Sequence, residues 1–338
     1  MDDRNDPAAG PLDLIVVGGS AGAIPALRRV LEGLPADLPA AVLVVLHSEP
    51  GGGARLPEIF ARASALPCRL AEDGQALETG VVTFAAPDAH LMAGHGHVHV
   101  RRGARENNFR PSIDPLLRSA AVYRGPRAAA LILSGVLDDG AAGARAIARM
   151  GGAVLVQSDA DFSDMPEAAA RAAGGAAIRA PAEELAEHLA RLAGSARPAA
   201  EAVPPEIGLE LKIATLEENS VASEESLGTL SPYNCPDCNG VLWEIEDGPL
   251  TRYRCHTGHG YGAESLADAQ DKALERTLFD TLRAHRGRAH LLRRAAGREG
   301  ARADQLERRA AACDADARLI ESIIKGRGGP GAGTGPTA

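Results

Sequence analysis

From residue 12 to about residue 194, short aliphatic and β-branched runs alternate with stretches of helical periodicity, a pattern that predicts an α/β unit built on a doubly wound, mostly parallel sheet. Residues 12–17 and 41–46 read as buried strands, and residues 24–34 between them as the helix of one right-handed crossover. The pattern returns in residues 128–133 and 153–156, separated by the Ala-rich helix 141–150, and residues 183–192 close the unit as a helix. Residues 81–85 and 90–100 fit a less regular strand and hairpin. With 3% aromatic residues, the core must be filled by Ala, Val, Leu and Ile. The same scarcity leaves no stacking platform for single-stranded nucleic acid.

The remaining length divides differently. Residues 195–231 have the Pro, Glu and Ser composition of a linker with one short helix near 209–216, residues 232–264 form a compact Cys-containing module, and residues 265–325 read as amphipathic helices. Residues 1–11 and the Gly-rich residues 326–338 are expected to be disordered tails. A net charge of −9 provides no basic field for nucleic acid or anionic lipid, and no apolar run is long enough for membrane insertion. Five cysteines, an odd and low count for 338 residues, fit a reducing compartment, so a cytoplasmic protein is expected.

The first strand runs into Gly18-Gly19-Ser20-Ala21-Gly22, a G-x-S-x-G at a strand-to-helix turn. Small neighbours permit the sharp turn that exposes a serine hydroxyl, and the following helix offers free N–H groups to a developing oxyanion. Gly-rich turns of this kind also bind phosphate or simply pack tightly. The second strand ends at His47, on the same carboxyl edge of the sheet, where open α/β sheets place their sites. The strand 128–133 leads to Asp138-Asp139-Gly140 on that edge. One of these carboxylates could orient the imidazole, and one could cap the next helix.

At these residues the sequence resembles the catalytic domain of the CheB-type chemotaxis protein-glutamate methylesterases. The resemblance rests on Val17 to Gly22, on Val44-Val45-Leu46-His47, on Ala85-Ala86-Pro87-Asp88-Ala89-His90, on Arg110-Pro111-Ser112-Ile113-Asp114, on Leu133 to Ala141 and on Asp164-Met165-Pro166. It implies Ser20 as nucleophile, His47 as general base and acid, and Asp139 as the orienting carboxylate, with Arg110 near the cleft. The family's usual Asn is Asp138 here, its usual Thr after the nucleophile is Ala21, and the Met of its aspartate loop is Val136. Ala21 and Val136 are therefore the oxyanion or substrate candidates whose backbone N–H groups matter. About eleven residues precede the first strand, so a preceding receiver domain of the chemotaxis type is not expected.

The second chemical signal is Cys235-Pro236-Asp237-Cys238 followed, after sixteen intervening residues, by Cys255-His256-Thr257-Gly258-His259. Three thiols and an imidazole on two short chelating loops suit a closed, structural zinc site in which no position is left open for catalysis. His259 is preferred to His256 as fourth ligand, because Gly258 suits a knuckle turn and the segment resembles the Cys-rich module of receiver-less CheB-like proteins. So short a module needs the metal to hold together, with Trp243 and Tyr253 packing beside it.

Other features read as ordinary. His95, His97 and His99 alternate on a hairpin without acidic or thiol partners nearby, Cys68 and Cys313 are plain thiols, and the Arg-rich residues 283–309 are interspersed with Asp and Glu as on a solvated helical hairpin. The expected protein is a serine esterase acting on glutamyl methyl esters of a chemoreceptor or related signalling protein, deamidating glutamine by the same chemistry, needing no catalytic cofactor and docking a regulatory partner through its C-terminal region. Two rivals remain. A non-catalytic signalling adaptor would keep the fold, and a dinucleotide binder would place Glu49 on a ribose, although G-x-G-x-x-G would need glycine at Ser20 and Ala23.

Overall fold

The computed structural model describes residues 9–47, 52–217, 228–297 and 302–327, which form two compact units, one ending at Leu266 and the other beginning at Ala267. Glu49, residues 218–227 of the expected linker, and most of both expected tails lie outside the described residues.

The first unit begins with β1 (Gly10–Pro11), β2 (Leu14–Gly19), α1 (Ala23–Gly33), β3 (Ala41–Leu46), α2 (Leu56–Phe60), β4 (Cys68–Leu70) and β5 (Val82–Phe84). A hairpin of β6 (His90–Ala93) and β7 (Val98–Arg101) follows, then α3 (Ile113–Arg124), β8 (Ala128–Ile132), α4 (Ala141–Arg149), β9 (Ala153–Gln157), α5 (Asp164–Ala173), β10 (Ile178–Ala180) and α6 (Ala182–Leu192). Seven strands pair in the order β10-β9-β8-β2-β3-β5-β4, every ladder parallel.

Strand alternation explains the two layers of core. On β2, Ile15 and Val17 face Leu27, Val30 and Leu31 of α1 and Leu185 and Leu189 of α6. Leu14 and Val16 face Ile113, Leu116 and Leu117 of α3 and Ile147 of α4. Both faces are buried, which is why the strands read as continuous apolar runs rather than alternating ones. The chain builds β3, β5 and β4 on one side of β2, then returns to build β8, β9 and β10 on the other. That reversal places the carboxyl ends of β8, β2 and β3 side by side, where a crevice forms.

Within the linker expected at residues 195–231, the described residues 195–217 hold the expected short helix, four residues earlier than its expected start, and a short strand as well. Its β11 (Ala196–Arg197) pairs antiparallel with β1, and α7 (Pro205–Ala214) buries Ile207, Leu211 and the charged Glu210. Polar composition concealed this because Glu210 is satisfied by three arginines rather than by solvent. The Cys-containing module is a four-stranded antiparallel sheet of β12 (Thr229–Asn234), β13 (Val241–Asp247), β14 (Leu250–Cys255) and β15 (Gly260–Gly262).

α8 (Ala263–Ala296) starts in the first unit, and its remainder forms the second unit with α9 (Ala303–Arg327). Within that unit Ala289 and Leu292 pack on Ala310 and Cys313, and Arg286 and Arg293 pair with Glu321 and Asp314 across the helices. Among the described residues no helix is long and apolar enough to cross a membrane.

Candidate active site and metal centre

Ser20 directly follows β2 and His47 directly follows β3, while Asp139 lies in the loop leaving β8. Three adjacent strands therefore deliver the three residues to one edge. The turn after β2 is closed by hydrogen bonds from Ser20 N to Ser134 O (2.9 Å) and from Ala23 N to Ser20 O (3.0 Å). Gly22 caps α1 at φ 74°, a left-handed conformation that favours glycine, and no side chain caps the helix; Ala23 N already donates to Ser20 O and Pro25 has no N–H, so of the first three helical residues Ile24 is the one with an N–H to offer an anion. The β8 loop comes so close that a Cβ on Gly135 would sit 3.0 Å from the Ser20 Cβ and 2.7 Å from the Met165 sulfur.

His47 Nε2 lies 2.7 Å from Asp139 Oδ2, and the imidazole stacks on Phe109 with ring centroids 3.6 Å apart. Asp139 accepts four further hydrogen bonds, from Asn107 Nδ2 (2.8 Å), Ser112 Oγ (2.9 Å), Ile113 N (2.8 Å) and Asp114 N (3.2 Å). The last two are the leading N–H groups of α3, whose N-cap residue Ser112 makes no side-chain cap bond. A carboxylate 25 residues downstream thus caps the helix, and the dipole favours its charge. Burial works against ionisation of Asp139, but His47 and the backbone and amide donors outweigh it and keep the carboxyl below its ordinary value. Since Asp139 accepts from Nε2, the imidazole carries its proton there and presents Nδ1 as the lone-pair nitrogen. Nδ1 is buried and has no hydrogen-bond partner among the described residues.

Asp138 has a separate occupation. It accepts from Glu264 N, Ser265 N and Ser265 Oγ and so caps α8. Each aspartate of the pair caps a helix, but neither caps the next one, α4, which starts from Gly140. Arg110 donates to Asp88 Oδ1 through Nε (2.8 Å) and Nη2 (2.6 Å) and to Gly103 O (2.6 Å), which occupies its guanidinium. Val136 and Ala21 are half-buried in the loops flanking Ser20.

Sequence reasoning missed Asn107 and Phe109, and gave Asp114 a place in a motif but no role. Asp114 is buried, accepts from Asn107 Nδ2 (2.8 Å) and Gly143 N (2.7 Å), and is pushed up to about 7 by burial and then by the Asp139 charge. The signal was the polar stretch Glu106-Asn107-Asn108 directly ahead of the Arg110-Pro111-Ser112 motif, but local spacing cannot show that its side chains are inward.

Cys235, Cys238, Cys255 and His259 bring one potential ligand atom each to within 4.8 Å of one another. Cys238 and Cys255 sulfurs are 3.6 Å apart, and Cys255 Sγ is 3.4 Å from His259 Nδ1. A tetrahedron of zinc–sulfur bonds of about 2.3 Å has edges of roughly 3.8 Å, so the donors fit zinc in number, kind and spacing. His256 is exposed outside this group, its ring edge over Gly240. The aromatic residue that reaches a ligand sulfur is Tyr261, whose hydroxyl is 3.5 Å from Cys235 Sγ and donates to Asp237 (2.7 Å).

The module is locked to the α/β unit by buried charge. Arg254 of β14 pairs with Glu106 (3.0 Å) and Glu210 (3.1 Å), Arg118 of α3 pairs with both acids, and Arg252 forks onto Glu210 through two bonds of 2.7 Å.

A wholly parallel seven-stranded sheet with Ser20, His47 and Asp139 at the carboxyl ends of three adjacent strands defines an α/β fold with a candidate site on that edge. The CheB methylesterase family model matches residues 15–189, just over half of the chain, and the chain belongs to that family. A protein-glutamate methylesterase/protein-glutamine glutaminase of Anaeromyxobacter dehalogenans is 42% identical over 193 residues, covering 54% of this chain and 56% of the relative. Another from Caulobacter vibrioides is 35% identical over 198 residues, covering 56% of each chain. The chain thus spans little more than half the length of these relatives. The crystal structure of the Thermotoga maritima CheB methylesterase catalytic domain superposes with a TM-score of 0.51 at 30% identity, covering 53% of this chain and 98% of that one.

Proposed function

We propose that the protein is a protein-glutamate methylesterase in which Ser20 is the nucleophile, His47 the general base and acid, and Asp139 the carboxylate that orients it. The observation that carries this reading is the His47–Asp139 bond of 2.7 Å, which leaves Nδ1 buried without a hydrogen-bond partner among the described residues, on a residue that follows the strand paired with the one leading to Ser20. Ser20 Oγ adds to the carbonyl carbon of a γ-glutamyl methyl ester as its proton passes to His47 Nδ1. The resulting oxyanion is met by backbone N–H groups, those of Ala21 and Val136 being the candidates and that of Ile24 in the first turn of α1 a further one. Asp139 remains ionised and stabilises the imidazolium. The tetrahedral adduct then collapses, methanol leaves with the His47 proton, and water hydrolyses the glutamyl-serine ester by the same route to give glutamate. Glutamine deamidation follows the identical path with ammonia as leaving group.

The substrate proposed is a methylated chemoreceptor-type helix, in keeping with the named activity of the relatives, and the setting proposed is the cytoplasm. The Cys235, Cys238, Cys255 and His259 group is proposed to hold one structural zinc, which would fix the turns that carry its ligands. The charged hairpin of the second unit is proposed as the docking face for a regulatory partner.

A serine-reactive fluorophosphonate tests the nucleophile: the folded chain should be labelled, and Ser20→Ala should abolish labelling. Incubation with radiomethylated receptors and measurement of released methanol tests the substrate. A folded chain that neither labels nor releases methanol overturns the esterase reading.

A further inference from the structure

The metal centre and the triad are joined by one buried side chain. His259, a ligand candidate, is followed directly by Gly260, whose carbonyl accepts from Asn107 N at 2.7 Å. Two residues on, Gly262 N donates to Asn107 Oδ1 at 2.8 Å. Between them stands Tyr261, whose hydroxyl touches the Cys235 sulfur. The other end of the same amide, Nδ2, donates to Asp139 Oδ1 and Asp114 Oδ2, each at 2.8 Å. Asn107 is 2% exposed and holds φ 50°, a left-handed conformation that asparagine tolerates better than most residues. Its orientation is therefore set by β15, which is paired with β14 on one side and continues directly from the turn that presents His259.

We propose that metal occupancy of the Cys235–Cys238–Cys255–His259 centre controls the competence of the triad, with Asn107 as the positioning residue that transmits it. This rests on the esterase reading above. With the metal bound, the turn from Cys255 to His259 is fixed, so Gly260 and Gly262 grip Asn107 from both sides and its amide holds Asp139 in line with His47. Without the metal, three thiols and an imidazole lose their common partner, β15 loosens, and Asp139 loses a donor whose direction is otherwise fixed. The α/β unit of this chain then contains a zinc-dependent element that acts on the aspartate rather than on the substrate. No zinc chemistry enters the reaction.

The test uses the full chain with four measurements: bound zinc by mass spectrometry, thermal unfolding, the rate of fluorophosphonate labelling at Ser20, and the His47 ring-nitrogen shifts by NMR. Cys238→Ser removes the exposed ligand, and Asn107→Ala removes the connection while leaving the ligands intact. Cys238→Ser should lose zinc and label at least tenfold more slowly, while Asn107→Ala should label as slowly with zinc retained. The double variant should be no slower than Asn107→Ala alone, and both single variants should shift the His47 signals in the same direction. Zinc loss with an unchanged labelling rate and unchanged His47 shifts overturns the proposal, as do effects that multiply in the double variant. Where Cys238→Ser does not fold, withdrawal of zinc from the folded wild type by a chelator must move the His47 signals, and unmoved signals overturn the coupling. Failure of the wild type to label counts against the esterase reading, and the His47 shifts still decide the coupling.

Discussion

Phe109 lies flat on His47, with ring centroids 3.6 Å apart and planes inclined by 11°. The stack covers one face of the imidazole while Asp139 holds its edge, so the ring has little freedom to turn. Aromatic pairing of this kind contributes about 0.5–1.5 kcal/mol beyond area burial, and the π-face also favours the imidazolium formed during acylation. Phe109→Leu should therefore lower the rate of ester hydrolysis by about tenfold, corresponding to about 1.4 kcal/mol, with little change in unfolding temperature because the ring is only half-buried. Full activity in that variant would show that Asp139 alone fixes the ring.

The two carboxylates joined by Asn107 should be visible in the pH dependence of stability. Burial and the neighbouring Asp139 charge raise Asp114 to about 7, whereas an unfolded aspartate titrates near 4. Between about pH 4 and 7 the folded chain thus holds a proton that the unfolded chain has lost. This contribution is fully present below about pH 4 and is lost as pH rises through about 7, amounting to a few kcal/mol at most. Urea unfolding from pH 4 to 8 should show the decline, and Asp139→Asn should flatten it by removing the neighbouring charge. The same variant should slow ester hydrolysis by roughly 10³–10⁴-fold. An unaltered pH slope in Asp139→Asn would count against the pairing.

The parallel sheet was legible because its strands are buried on both faces and its helices are amphipathic, so periodicity alone separated residues 41–46 from residues 24–34. Ser20 and His47 were legible because each stands directly at a strand end. Asp138 and Asp139 could not be told apart locally: both cap helices, and the helices they cap begin at Ile113 and Ala263, which no spacing argument reaches. Asn107, Glu106 and Glu210 were hidden for a similar reason. A buried polar residue announces itself through partners distant in sequence, and its composition looks like a solvated loop until those partners are known.

The arginine–glutamate network makes a separate acid prediction. Burial opposes ionisation of Glu106, but Arg118 and Arg254 hold it at about 2, and Glu210 is likewise held well below its ordinary value by Arg252 and Arg118 against its burial. These lowered values supply stability that is present above about pH 4.5 and lost as pH falls toward 2. Arg254→Met keeps the stem volume but leaves both acids short of a partner and frees Gly258 O. Removing one partner of a buried pair costs about 3–5 kcal/mol, so the variant should unfold at clearly lower urea concentration at pH 7. Its acid-unfolding midpoint should also move to higher pH. A variant as stable as wild type would mean that the network is dispensable to folding.

Gly135 tests how closely the aspartate loop must approach the nucleophile. A methyl group there would lie 2.7 Å from both the sulfur and the Cε of Met165 and 3.0 Å from the Ser20 Cβ. Met165 is fully buried, so it cannot swing into solvent, and part of the strain must fall on Ser20. Overpacking of this order costs about 1–3 kcal/mol of stability. The larger consequence is catalytic, because a displacement near 1 Å at a reacting group lowers rates by about a hundredfold. Gly135→Ala should therefore lose far more fluorophosphonate labelling than its unfolding temperature would suggest. Pairing it with Met165→Ala, which vacates the sulfur's position, should recover part of the labelling despite a further loss of stability, a pattern that a purely destabilising substitution would not give.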